Sequence, residues 1–184
     1  MTQLDRDAAA ASQPIPDVLR LYRRLRTVSP GGWLFSRIIC WRAPYFATIR
    51  PRITMLDREH CIAEMAHRRS VQNHIGSVHA IALCNLAELT AGVLAEACLP
   101  TSMRWIPKGM DVEYLARAKG RMRGEAQPTV APVASDHGYE LPIRVTVRDR
   151  EDVEVFRARV RMWVTPRLAR NVPRTPPPPG REPG

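Results

Sequence analysis

Three residues carry the chemistry this chain can offer: Asn73, His79 six positions on, and Glu88 nine beyond that. They lie in "QNHIGSVHAIALCNLAEL", where a polar run gives way to an almost wholly apolar one. A carboxylate inside an apolar helix is costly unless it is paired or used. An ionised Glu88 can take a proton from water or attack an electrophile itself. Gly76, His79 and Ala80 stand where the helix should begin. Unpaired N–H groups there favour an anion, and Gly76 lets the chain turn closely into place. Together these features suit a reaction in which negative charge develops on an oxygen while a water is deprotonated or a carboxylate attacks directly.

One chain cannot unite the two halves. Nine residues at ~100° each put His79 and Glu88 on opposite faces of a helix and about 13 Å apart along it. A single centre forms only if two helices pack antiparallel across a dimer, so that Glu88 of one chain meets Asn73, Gly76 and His79 of the other. Each residue also has a simpler reading. Glu88 can pair with an arginine and fix a dimer register. His79 can be a structural histidine bonded to the backbone. Asn73 can be a turn former or helix cap.

Elements must position these residues. "DVLRLYRRLRTV" from Asp17 puts Val18, Leu21, Tyr22 and Leu25 on one helical face, and "SPGG" ends it. "WLFSRIICWRAP" reads as a second short helix that packs on the domain or lies on a membrane surface. "YFATIRPRITMLD" and "HCIAEMAHR" read as strands, with Pro51 at an edge or bend. The long helix runs to Pro100. "MRWIPKGMDVEYLARAKGRMRGEAQ" reads as two strands joined near Ala116–Ala118. "LPIRVTVRDR" turns Ile143, Val145 and Val147 one way, and "EDVEVFRARVRMWVTP" does the same with Phe156, Ala158, Val160, Met162 and Val164. Val153 and Val155 fall out of phase, which predicts a bulge near Val155. The order predicts an α+β fold with one helix on the concave face of an antiparallel sheet. The expected divisions are a flexible leader over 1–15, N-terminal helices over 16–43, a domain over 44–166, and a disordered Pro-rich tail over 167–184.

The chain has 184 residues and a net charge of +10, which suits one domain. All its basic residues but Lys108 and Lys119 are arginine. No helix-turn-helix, zinc finger or aromatic-basic sheet motif accompanies that charge, so nucleic acid is not expected as a partner. Cys40, Cys61, Cys84 and Cys98 form no Cys-x-x-Cys pair and read as small buried hydrophobes. His60, His67 and His74 recur every seven residues, but His67 belongs to a strand end and His74 to a turn, so no metal is expected. The N-terminus lacks a signal-like apolar core, and the expected location is cytoplasmic.

The motif resembles hotdog acyl-CoA thioesterases of the phenylacetic-acid-pathway (PaaI-like) type, which carry an Asn, a His six residues on with a small residue after it, and an acid nine beyond. Here these are Asn73, His79, Ala80 and Glu88. Two positions depart from that pattern, with Ala80 in the place of Gly and Glu88 in the place of Asp. The chain is identified as a member of an uncharacterised bacterial hotdog family allied to them, on "QNHIGSVHAIALCNLAEL" and "RWIPKGMDVEYLARAKG" at Arg104–Gly120. The resemblance covers roughly residues 40 to 165. It implies a hotdog fold, a homodimer or dimer of dimers with shared sites, and an acyl-CoA or related thioester as substrate, with coenzyme A as part of it and no separate cofactor. Glu88 would be general base or nucleophile, the Ala80 N–H an oxyanion donor, and Asn73 and His79 organisers of water and loop. Arg104, Lys108 and Arg117 would hold the coenzyme A phosphates, unless they are a solvated strand face. Trp105 and Met110 would line an acyl pocket, unless they are core. A non-catalytic acyl-binding module, and a protein whose basic helices over 17–42 touch a membrane surface, are the rival readings.

Overall fold

The computed structural model describes residues 14–27 and 31–167. Most of the expected leader and tail, residues 1–13 and 168–184, lies outside the described residues. Two helices come first, α1 (Asp17–Arg26) and α2 (Gly31–Arg42), followed by a 3-10 helix over Pro44–Ile49. Then come β1 (Arg52–Leu56), β2 (Cys61–Met65), the long helix α3 (Ala80–Cys98), β3 (Met103–Tyr114), β4 (Met122–Pro128), β5 (Tyr139–Arg148) and β6 (Glu154–Pro166).

The six strands form one sheet in the order β1-β2-β4-β5-β6-β3, antiparallel throughout. Alternation decides which face is dry. Leu141, Ile143, Val145 and Val147 of β5 and Phe156, Met162 and Val164 of β6 are all fully buried. The α3 helix lies across this inner face and touches every strand. Gly124 of β4 lets it come close, since a Cβ there would stand 3.3 Å from Leu86 Cγ. By length and composition α3 would suffice to cross a membrane, but 72% of that stretch is buried inside the protein. This is the sausage-in-bun arrangement of the hotdog fold.

The bulge expected near Val155 is present. Arg148 pairs with Glu154 and Val147 with Phe156, which leaves Val155 without a partner of its own; both Val155 and Phe156 are buried. One expectation needs correction. "YFATI" is not a strand but the 3-10 helix, with Pro44 at its start and Arg50 in the left-handed region at its end (φ 47°). Only Arg52–Leu56 of that stretch extends.

α1 and α2 dock on the domain rather than extending from it. Tyr22 packs edge-on against Phe35 with ring centroids 5.1 Å apart and donates to the Thr54 carbonyl at 3.0 Å. The Ser36 hydroxyl accepts from the Ile53 amide at 2.8 Å, tying α2 to β1. Gly31 lies so near α1 that a Cβ would overlap the Leu25 carbonyl. Gly31→Ala should therefore lower the unfolding free energy by about 1–3 kcal/mol through overpacking. The helical preference of Ala over Gly, worth about 1 kcal/mol, runs the other way. A thermal melt reads the net sign, and an unchanged or raised Tm would show that the helices are not held at this contact.

Candidate active site

The start of α3 is built by its neighbours. Asn73 makes a closed turn with its own side chain. Its Oδ1 accepts from the Ile75 and Ser77 amides at 3.1 and 3.0 Å, and its Nδ2 donates to Ser77 Oγ at 2.8 Å. Gly76 takes φ 71° at the tip, a conformation that costs Gly little. The turn is then clamped by the segment after β3. Val78 N–H donates to the Ala118 carbonyl at 2.9 Å and Arg117 Nη2 to the Ile75 carbonyl at 2.6 Å. Gly120 N–H donates to His67 Nδ1 at 3.1 Å. The two hallmark stretches of the sequence thus belong together because one fixes the other.

His79 is the N-cap of α3, and its Nδ1 accepts from the Ile81 amide at 3.1 Å. Its carbonyl takes the Ala82 and Leu83 amides. The Ala80 amide has no hydrogen-bond partner among the described residues. It is one of the unpaired donors of a helix start and is placed to meet an anion.

Glu88 lies on the outer face of α3, away from the sheet, and is exposed in the single chain. The expectation of a buried carboxylate is corrected accordingly. The helix reads as apolar all round because α1 and the 3-10 helix cover part of that outer face. Glu88 has no ion pair or hydrogen bond among the described residues, so none of the described arginines neutralises it. It borders a cavity of about 780 Å³. One turn earlier sits Asn85, which is 6% exposed. Its Nδ2 donates to Thr48 Oγ1 at 3.1 Å, while its Oδ1 is buried without a partner. Sequence reasoning missed Asn85, and only its polarity within an apolar run signalled it.

The expected coenzyme A ligands do not come together. Arg104 and Lys108 lie on the face of the sheet opposite α3. Arg104 Nε donates to Thr165 Oγ1 at 3.3 Å. Lys108 sits 3.6 Å from Glu140 and 5.0 Å over the Trp163 ring. Only Arg117 reaches the helix-start loop, and it braces that loop. Trp105 does face the helix and borders the cavity beside Glu88, with its Nε1 donating to Glu96 Oε2 at 2.8 Å. Met110 packs against the core.

Cys40, Cys61 and Cys98 are buried and free. Burial pushes the Cys98 thiol up to about 12 and raises Cys40 and Cys61 as well. Cys84 is partly exposed on the same outer stripe as Glu88, 3.3 Å from the Tyr114 hydroxyl. That contact, with burial, raises Tyr114 to about 12. No group of three His, Cys, Asp or Glu residues suited to a metal occurs among the described residues.

Residues 31–164 match the domain of unknown function DUF4442. The chain belongs to the DUF4442 family. A crystal structure of a structural-genomics target is 40% identical, with TM-score 0.70, covering 80% of this chain and 97% of that one. A thioesterase from Haemophilus influenzae shares the fold at 15% identity and TM-score 0.61, over 70% of this chain and 87% of that one. A probable thioesterase from Pseudomonas aeruginosa does so at 20% identity and TM-score 0.60, over 72% and 93%. No curated protein matches the chain.

The hydrogen bonds of Asn73 assign it to holding the loop. Asn73→Ala should cost about 1–3 kcal/mol, since two turn amides lose their acceptor. Amide exchange at Ile75 and Ser77 should quicken while the centre of α3 stays protected. An unchanged exchange rate at both would remove Asn73 from this role.

Proposed function

We propose that this DUF4442 protein hydrolyses an acyl thioester, such as an acyl-CoA, at a site shared between two copies of the chain. The observation that carries the reading is the pairing of two unsatisfied groups, the free Ala80 amide at the start of α3 and the unpaired Glu88 carboxylate beside an apolar cavity. Each lacks the partner that the other, on a second chain, can help supply through a bound substrate. β3 supports the dimer. It is one of the two edge strands, twelve residues long, and an edge of that length invites pairing. Ile81, Tyr114 and Leu115, around the start of α3 and the end of β3, are 56%, 52% and 45% exposed and give such a contact apolar surface.

The reaction follows from the groups. Water held by Glu88 attacks the thioester carbonyl carbon as the carboxylate takes its proton. The carbonyl oxygen becomes an oxyanion and is met by the Ala80 N–H and the positive end of α3. Collapse breaks the carbon–sulfur bond, the thiolate leaves, and the proton returns from Glu88 to sulfur. The products are a carboxylic acid and a free thiol. His79 holds the Ala80 amide in place by capping the same helix turn, and Asn73 holds the loop behind it.

Two substitutions test the roles without dismantling the fold. Glu88→Gln keeps the shape and removes the base. Ala80→Pro deletes the donor at the first helical position, where proline is well tolerated, and His79 already has the extended backbone (φ −66°, ψ 138°) that proline demands of its predecessor. Each should lower kcat by about 10²–10³-fold or more. Mixing the two inactive variants under conditions of subunit exchange should restore roughly a quarter of wild-type activity, because half of the random dimers carry one intact site of two. A failure to recover would place both residues in one chain's site and overturn the shared centre.

A second reading, contact with an anionic membrane surface, rests on a separate observation. Between residues 18 and 56 there are eight arginines and no acid. On α2 and just after it, Trp33, Trp41 and Tyr45 are 55%, 81% and 67% exposed. Aromatic rings beside cations suit a lipid headgroup layer. Co-sedimentation with vesicles containing phosphatidylserine should fall in Trp41→Ala and at raised salt. Equal binding to neutral vesicles would argue against it.

A further inference from the structure

The cavity beside Glu88 has a direction. Along α3 it is bordered by Glu88, Leu89, Gly92, Val93, Glu96 and Leu99, which is one helical face from the carboxylate to the helix end. At ~1.5 Å per residue that run is about 16 Å long. The opposite wall comes from the N-terminal helices, through Val18 and Leu21 of α1, Ile38 and Ile39 of α2, and Phe46 of the 3-10 helix. All five are apolar and only half-buried. β3 closes the side with Trp105, whose ring lies over Gly92; a Cβ on Gly92 would stand 3.0 Å from Trp105 Cη2. At the far end the polar atoms satisfy one another, with Trp105 Nε1 on Glu96 and Arg167 3.8 Å from Glu96. The buried polar atoms left without partners among the described residues, on His67, Asn85 and Arg161, do not border this cavity. Asp17, which pairs with Arg20, and Arg42 also border the groove, but its helical walls are mainly apolar and suit an apolar occupant, and its 780 Å³ fall within the roughly 300–1,000 Å³ of small-molecule sites.

We propose that this groove seats a linear acyl chain of about twelve carbons, with the thioester carbonyl at Glu88 and the chain running toward Leu99. The length follows from geometry. An extended chain advances roughly 1.2 Å per bond, so the eleven C–C bonds of a twelve-carbon acyl group span about 13 Å, and the radius of its terminal methyl, about 2 Å, brings it close to the full run. The proposal rests on the thioesterase reading of Glu88 and adds to it the substrate class and a role for α1 and α2. These helices form a wall of the binding site, lying outside the sheet-and-helix core, and their apolar side chains set which acyl group fits.

A chain-length series of straight acyl-CoAs from two to sixteen carbons, on the full chain, tests this. Wild-type kcat/KM should climb by up to about fourfold per methylene, the equivalent of about 0.8 kcal/mol each, and level off near twelve carbons. Leu21→Trp and Ile39→Trp narrow the groove from its helical wall. Each should lower the dodecanoyl-to-butyryl ratio of kcat/KM by tenfold or more and shift the plateau to shorter chains, with thermal melts confirming the fold. Binding of S-alkyl coenzyme A thioethers to Glu88→Gln, which involves no turnover, supplies an independent arm. Turnover with no dependence on chain length overturns the groove and leaves the Glu88 reading standing. Length-dependent thioether binding without hydrolysis of any substrate overturns the enzyme and leaves the groove. Neither turnover nor binding overturns both.

Discussion

The structure depends on how α3 is rotated against the sheet. Burying Leu83, Leu86, Thr90, Leu94 and Ala97 against six strands leaves one stripe of the helix facing outward, through Ile81, Cys84, Glu88, Gly92 and Glu96. Hydrophobic burial alone fixes that rotation, and it is large compared with any single polar contact. Glu88 is thereby aimed away from its own core with no further device. The same rotation lays Gly92 under Trp105 and points Glu96 at the indole nitrogen. The chemistry of the outer stripe is a by-product of packing on the inner one.

The opposite end of α3 is governed by hydrogen bonds. Asn73, His79 and the Ala118 carbonyl satisfy the polar groups of the loop and the first turn one by one, and the Ala80 amide is what they leave over. A donor held rigidly and left unpaired suits a charge that appears only during reaction, because no reorganisation is needed when it appears. This division of labour also explains why a loop some forty residues downstream is needed. Arg117 and Ala118 hold the turn in place, so this part of the second hallmark stretch braces the helix start.

Much of this was legible in the sequence. β5 and β6 alternate so regularly that their inner residues can be read directly, and the phase slip at Val155 marks the bulge. The start of α3 was readable from His79 and Gly76. Three features were not. Glu88 looked buried because composition cannot tell a helix wrapped by its own sheet from one covered by other helices. "YFATI" looked extended because its residues favour strands, whereas Pro44 and the left-handed Arg50 fold it into a turn. Arg104 and Lys108 looked like phosphate ligands because charge says nothing about which face of a sheet it occupies. Pairing of Arg104 with Thr165 and the bulge between Pro107 and Gly109 put both on the far side.

Gly92 and Trp105 have a consequence for how such a protein diversifies. The indole is held at three places, by the absent side chain beneath it, by Glu96, and through Glu96 by Arg167. A single methyl at position 92 would press on the ring and strain its bond to Glu96. The width of the cavity beside Trp105 and the charge of Glu96 on its border are therefore one mechanical unit. A substitution at this one small residue, a single helical turn from Glu88, would change both together.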